Sequence, residues 1–256
     1  MSVREPGEVG AALDGGADII DVKDPARGAL GAVDAATLVQ VLERVPATIP
    51  FSVALGDPCD AALAAGLVGG LPVPPRAAST FVKLGVAGVG SAPAAEGMLR
   101  AAVAAARRHP ARPLVIAVAY ADAELHGLGL GAIAALARHA GAGGVLLDTM
   151  RKSGGCLLDS LPPARLRAWV ADARQLGLLV ALAGRLDRPD LDLVASVGAD
   201  VVGVRGAACE GGREGRVSTA KVRHLRAAIA GVAEDRDRAA KHQSLALSAG
   251  SSNVPN

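Results

Sequence analysis

The chemistry open to this chain rests on its few lysines. Of its 27 basic residues only Lys23, Lys83, Lys152, Lys221 and Lys241 are lysines, so arginine supplies the generic surface charge. Lysine can shed its proton near neutrality and form a Schiff base, and arginine cannot. Lys23 stands in ADIIDVKDPARGALG, Ala17 to Gly31, where an apolar run (Ile19, Ile20, Val22) is broken by Asp21 and Lys23. Side chains two apart on a strand share a face, so carboxylate and amine emerge together. A charge pair in a buried strand costs free energy, which makes sense at a working site. Lys83 lies near the end of a second apolar run, TFVKLG. Asp148 ends a third, GVLLD, and Lys152 follows in the next loop. An amine crowded by cations in a partly desolvated site has a lowered pKa and becomes a nucleophile. Carboxylates beside it move protons.

These residues need a scaffold that gathers strand ends. Eight stretches read as strands: Ser2 to Arg4, Asp18 to Lys23, Phe51 to Gly56, Thr80 to Gly85, Pro113 to Tyr120, Gly144 to Asp148, Leu178 to Ala183 and Asp200 to Arg205. The first is a stub, as though the chain began late within it. Helices are expected between them at Pro6 to Leu13, Ala35 to Val45, Asp60 to Leu67, Ala94 to Arg108, Gly129 to Ala140, Pro162 to Gln175 and Arg188 to Val197. A last helix spans Thr219 to Val232. A weak repeat supports the alternation. Gly16-Ala17-Asp18, Gly141-Ala142-Gly143 and Gly198-Ala199-Asp200 each close a helix and open a strand. Eight such units imply a single-domain (β/α)8 TIM barrel, expected over residues 1–233, with a disordered tail at 234–256. The competitor, an open doubly wound sheet, lacks a GxGxxG after its first strand.

In a barrel the C-terminal strand ends share one mouth. Lys23, Lys83, Asp148, Lys152, Asp57, Tyr120, Asp122 and Arg205 all fall there. Gly184-Arg185 and the glycine-rich Gly206 to Gly215 follow strands seven and eight, the usual place for a phosphate cradle. The histidines offer less: His109 and His139 end helices, and only His126 lies in a mouth loop. No pair of histidines has metal-ligand spacing, so neither metal nor cofactor is expected. Cys59, Cys156 and Cys209 lie far apart and read as free thiols of a reducing cytoplasm.

Composition narrows the class. Aromatics are 2 % and the net charge is +2 with both signs dispersed, which offers nucleic acid neither a basic patch nor stacking platforms. The longest uncharged stretch, Ala61 to Pro75, is broken by Gly and Pro and is too short to span a bilayer. The expected partner is a small phosphorylated molecule, and a homo-oligomer is compatible with this reading.

The segments GGADIIDVKDPARGALGA (Gly15 to Ala32), FVKLG (Phe81 to Gly85), AYADA (Ala119 to Ala123), LLDTMRKSG (Leu146 to Gly154), LAG (Leu182 to Gly184) and VGVRGAACEGG (Val202 to Gly212) resemble the (5-formylfuran-3-yl)methyl phosphate synthase family. The similarity runs in order to about Val232. It implies a (β/α)8 lyase that condenses two glyceraldehyde 3-phosphates into 4-(hydroxymethyl)-2-furancarboxaldehyde phosphate, losing phosphate and water, for methanofuran biosynthesis. By motif it implies Lys23 as the Schiff-base lysine, Lys83 and Lys152 as further active-site lysines, and Asp21 and Asp148 as acid–base groups. Gly184, Arg185, Arg205, Gly206 and Ala207 are the expected substrate-phosphate residues. The rival readings are another phosphosugar aldolase or isomerase of the Schiff-base class, and a non-catalytic phosphate-binding barrel.

Overall fold

The computed structural model describes residues 1–123, 128–151 and 154–231. Lys152, His126 and the tail beyond 231 lie outside them. Eight parallel strands run in sequence order around one sheet: β1 Ser2–Val3, β2 Ile20–Val22, β3 Phe51–Ala54, β4 Thr80–Gly85, β5 Leu114–Tyr120, β6 Gly144–Asp148, β7 Leu179–Leu182 and β8 Val201–Val202. The Ser2 N–H donates to the Val204 carbonyl at 3.1 Å, across the seam between the last strand and the first. The sheet thus curls on itself as a (β/α)8 barrel.

Helices cover its outside: α1 Val9–Asp14, α2 Ala35–Leu42, α3 Ala61–Gly69, α4 Ala92–Arg108, α5 Leu130–Ala140, α6 Leu157–Ser160, α7 Pro163–Gln175, α8 Arg188–Ser196 and a last helix, α9, over 219–231. Strands covered on both faces read as continuous apolar runs. Val22, Val53, Val82 and Val115 are neighbours in register on β2 to β5 and form one buried row under the helices. With few aromatics, α4 packs by small side chains: Ala95, Met98, Leu99, Ala102 and Ala106 repeat at helical spacing and are all buried. Asp34 and Asp60 accept the Thr37 and Leu63 N–H groups at 2.8 Å and cap α2 and α3, each cap stabilising by ~1 kcal/mol.

The structure departs from expectation at four places. α2 ends at Leu42 rather than Val45, because Val45 precedes Pro46 and the residue before proline avoids helical angles. Pro6–Glu8 winds as a 3-10 turn ahead of α1. β8 is two residues, not six. Asp200, just before it, takes the Val180 N–H on its carboxylate at 2.8 Å in place of a backbone carbonyl. The glycine-rich segment after β8 is ordered. It forms a 3-10 turn, Gly206–Ala208, and a hairpin of β9 Cys209–Glu210 with β10 Arg216–Val217.

Candidate active site

The inward faces of the strands build the site. Ser2, Asp21, Ser52 and Phe81 are successive register partners on β1 to β4. Ser2 donates its hydroxyl to Asp21 Oδ2 at 2.8 Å. Lys83 stands two residues beyond Phe81, paired in register with Ala54. β3 therefore offers only Ser52 and Ala54 on this face, and the Lys83 side chain crosses them to an ion pair with Asp21 Oδ1 at 2.5 Å. Lys23 follows β2 directly, and Asp148 ends β6. Asp21, Lys23, Lys83 and Asp148 are all buried, between 3 % and 8 % exposed. They line one cavity of about 450 Å³. The expected phosphate residues Gly184, Arg185, Arg205, Gly206 and Ala207 line the same cavity from the β7 and β8 side.

The electrostatics are those of a poised amine. Burial alone would raise the Asp21 carboxyl. The charges of Lys83 and Lys23, with hydrogen bonds from Lys83 and Ser2, outweigh it and hold its pKa at about 2. Asp21 is thus an anion at neutral pH. Lys23 moves the other way: burial lowers its amine, Lys83 and Arg213 add to the lowering, and Asp148 and Asp21 oppose it. Less of the Lys23 population is charged at a given pH than for a free lysine.

Residues 1–226 match the family described as 4-HFC-P synthase. The chain belongs to that family. It is 37 % identical over 226 residues to the (5-formylfuran-3-yl)methyl phosphate synthase of Methanothermobacter thermautotrophicus, covering 84 % of this chain and 91 % of that one. It is 34 % identical over 230 residues to the synthase of the same name from Methanocaldococcus jannaschii, covering 86 % and 94 %. Solved structures share the fold at lower identity. KGPDC from Streptococcus mutans aligns with a TM-score of 0.58 at 17 % identity, over 90 % of this chain and 97 % of that one. Phosphoribosyl anthranilate isomerase from Thermus thermophilus gives 0.54 at 16 %, over 90 % and 96 %.

In this member of the family the β8 side is organised differently from the sequence expectation. Arg205 reaches the cavity wall, but its guanidinium is fully engaged. Nη1 donates to Glu8 Oε2 and the Ser2 carbonyl, at 2.9 and 3.0 Å. Nη2 donates to Glu8 Oε1 and the Gly215 carbonyl, at 3.1 and 3.2 Å, and Nε to the Arg213 carbonyl at 2.8 Å. Arginine has five N–H donors, so none is left for a phosphate. Arg205 instead pins the 213–215 loop to the start of the chain. Gly206 and Ala207 open the 3-10 turn, ahead of its first internal bond from Ala208 N–H to the Arg205 carbonyl. Gly184 and Arg185 both turn with positive φ, +115° and +54°. A Cβ on Gly184 would sit 3.0 Å from the Thr149 side chain, so this turn packs tightly against the strand-six loop.

Sequence reasoning missed four contributors. Ser2 and Glu8 act across the seam between the two ends of the barrel, and nothing local marks them. Arg213 lies hidden among glycines. Asp122 was placed at the mouth without a role; its carboxylate accepts the Met150 and Arg151 N–H groups at 2.6 and 2.8 Å and so anchors the backbone leading to Lys152. The mouth residues Tyr120 and Asp57 pair with each other at 2.9 Å and do not reach the cavity. His109, the C-cap residue of α4, bonds the Leu71 carbonyl and the Ala111 N–H through its ring nitrogens. Among the described residues no cluster of His, Cys, Asp and Glu could hold a metal ion, and no helix is long and apolar enough to cross a membrane.

The lowered Lys23 amine has a kinetic consequence. If Lys23 is a nucleophile, its neutral amine is the reactive form, and kcat/KM should rise with pH through a limb lying below the 10.5 of ordinary lysine. Lys83→Met removes a cation that helps lower that amine. The limb should then move to higher pH, as a pH–rate profile of both proteins would show. A limb that stays in place would mean that the titrating group is not Lys23.

Proposed function

We propose that the protein condenses two molecules of glyceraldehyde 3-phosphate into 4-(hydroxymethyl)-2-furancarboxaldehyde phosphate in the cytoplasm, as a lyase step of methanofuran biosynthesis. Two three-carbon units become one six-carbon furan, and the balance leaves as one phosphate and two waters. Lys23 attacks the carbonyl of one triose phosphate, isomerised to its ketone form, and expels water to give an iminium. A carboxylate, Asp148 or Asp21, removes the proton beside the aldehyde of the second triose, whose enol expels its phosphate and leaves a nucleophilic terminal carbon. That carbon attacks the iminium carbon, joining the end of one triose to the centre of the other, as the branched product requires. The free hydroxymethyl group closes on the ketone so formed, and loss of a second water and of the Lys23 amine completes the furan. Lys83, ion-paired to Asp21, stabilises developing oxyanion charge, and Lys152 joins it by motif. Gly184, Arg185, Gly206 and Ala207, which line the same cavity, receive a phosphate in this reading.

One observation carries this reading: in a chain of this family, the amine of Lys23 is buried beside Asp148 and the Asp21–Lys83 ion pair. A phosphate-binding barrel without catalysis would not need lysines where arginine binds phosphate as well. The deciding experiment incubates purified protein with glyceraldehyde 3-phosphate alone and follows ultraviolet absorbance of an aromatic aldehyde together with free phosphate. Both should rise together. A new hexose phosphate without absorbance would make the protein an aldolase. Ligand binding without any product would make it a silent barrel.

A further inference from the structure

Arg205, the arginine that the sequence offers for phosphate, has no donor left, and the structure points to another cation. Arg213 sits in the turn of the β9–β10 hairpin and lines the cavity. Its position is fixed twice. Arg205 Nε holds its carbonyl at 2.8 Å, and Gly211 and Gly212 ahead of it adopt φ of +81° and +77°, which glycine tolerates and other residues rarely do. Its side chain reaches across to the loop after β2, where Nη2 donates to the Gly28 carbonyl at 2.9 Å and approaches that of Pro25 at 3.5 Å. The remaining donors are not so satisfied. Nε is shielded from solvent and has no hydrogen-bond partner among the described residues. No carboxylate of the described residues forms an ion pair with this guanidinium.

The cavity around it carries both signs: Lys23, Lys83, Arg185 and Arg213 against Asp21, Asp148 and Asp187. Arg205 is neutralised by Glu8, and Asp21 is taken up by Lys83. A shielded donor left without a partner is costly, and a guanidinium at the cavity wall with no ion-pair partner among the described residues matches the fork geometry of phosphate oxygens.

We propose that Arg213 is the cation that reads the substrate's phosphate, through the guanidinium donors that Gly28 does not take. This deepens the proposed function and rests on its reading that the substrate is a phosphorylated triose. Because the same guanidinium ties the hairpin to the loop after Lys23, phosphate capture and the placement of that loop are one event.

The test uses the full chain, with inorganic phosphate as probe in calorimetric titration and glyceraldehyde 3-phosphate in steady-state kinetics. Arg213→Gln should weaken phosphate binding by ~10- to 100-fold, the loss expected for a charge-assisted hydrogen bond. It should raise KM by a similar factor, with the smaller part of the loss in kcat. Arg213→Lys keeps a charge without the fork and should recover part of the phosphate affinity; it also guards against a folding defect in the glutamine variant. Phosphate affinity equal to the original in Arg213→Gln overturns the proposal. So does a loss confined to kcat in both variants, which would leave Arg213 as a structural tie alone. Phosphate binding is measured without turnover. A protein whose phosphate affinity depends on Arg213 but which makes no furan therefore keeps this assignment and loses the proposed reaction.

Discussion

Lys23→Arg should lower furan formation from glyceraldehyde 3-phosphate by ~10⁴-fold or more, in the range seen when a covalent nucleophile is removed. The original protein, treated with substrate and borohydride, should carry a reduced adduct on the peptide containing Lys23; the variant should carry none. Arginine preserves the positive charge at this position, so the electrostatic role of the side chain is retained while the nucleophile is lost. Lys23→Ala removes both and should be equally inactive, which guards against the larger arginine merely blocking the cavity. The expectation follows from the environment of the amine, 7 % exposed, lowered by burial, and next to Asp148. Turnover within tenfold of the original in either variant would end the Schiff-base mechanism at Lys23. An adduct mapped to Lys83 would move it to the other described lysine of the cavity.

Glu8→Ala should cost about 3–5 kcal/mol of stability, because it leaves a buried arginine without its counter-ion. The pair is 2–3 % exposed on both sides and doubly hydrogen-bonded. For a chain of this size that loss corresponds to a fall in Tm of about 10 °C. Such a pair is not in itself a large source of stability, since both charges were taken out of water. The effect comes from breaking it on one side. Replacing both partners together, Glu8→Leu with Arg205→Met, should therefore recover much of the loss. Urea denaturation of the original and the two variants checks this, and a loss below about 1 kcal/mol in Glu8→Ala would show that the arginine finds water or another acceptor.

The parts of this molecule legible in sequence are those whose signal is local. Seven of the eight strands announced themselves as apolar runs between turn residues, and the first showed only as a stub. The pair Asp21 and Lys23 stood out because charge interrupts such a run, and the structure places both on the cavity wall. Lys83 and Asp148 were found the same way. What failed to show depends on contacts between distant positions. Arg205 looked like a phosphate ligand because it ends a strand beside glycines. Its partner Glu8 lies 197 residues away, and only closure of the barrel brings them together. Arg213 was one arginine among 22, inside a segment whose glycines masked a hairpin. Asp122 was visible as a residue at the mouth, but the N–H groups of Met150 and Arg151 that define its role belong to the next βα loop.

The start of α8 gives the cavity a direction. Asp187 lines the cavity and accepts the Arg188 N–H at 2.7 Å, while Asp190 takes the Asp187 N–H at 2.8 Å. The positive end of that helix dipole is thus already answered by two carboxylates. Under the proposed reaction, the start of α8 itself offers a phosphate dianion no uncompensated dipole, and the guanidinium of Arg213 would take it instead. The carbonyl end of the same triose would then lie toward β2 and β6, at Lys23 and Asp148. Which helix start is already neutralised would set the direction in which the substrate enters.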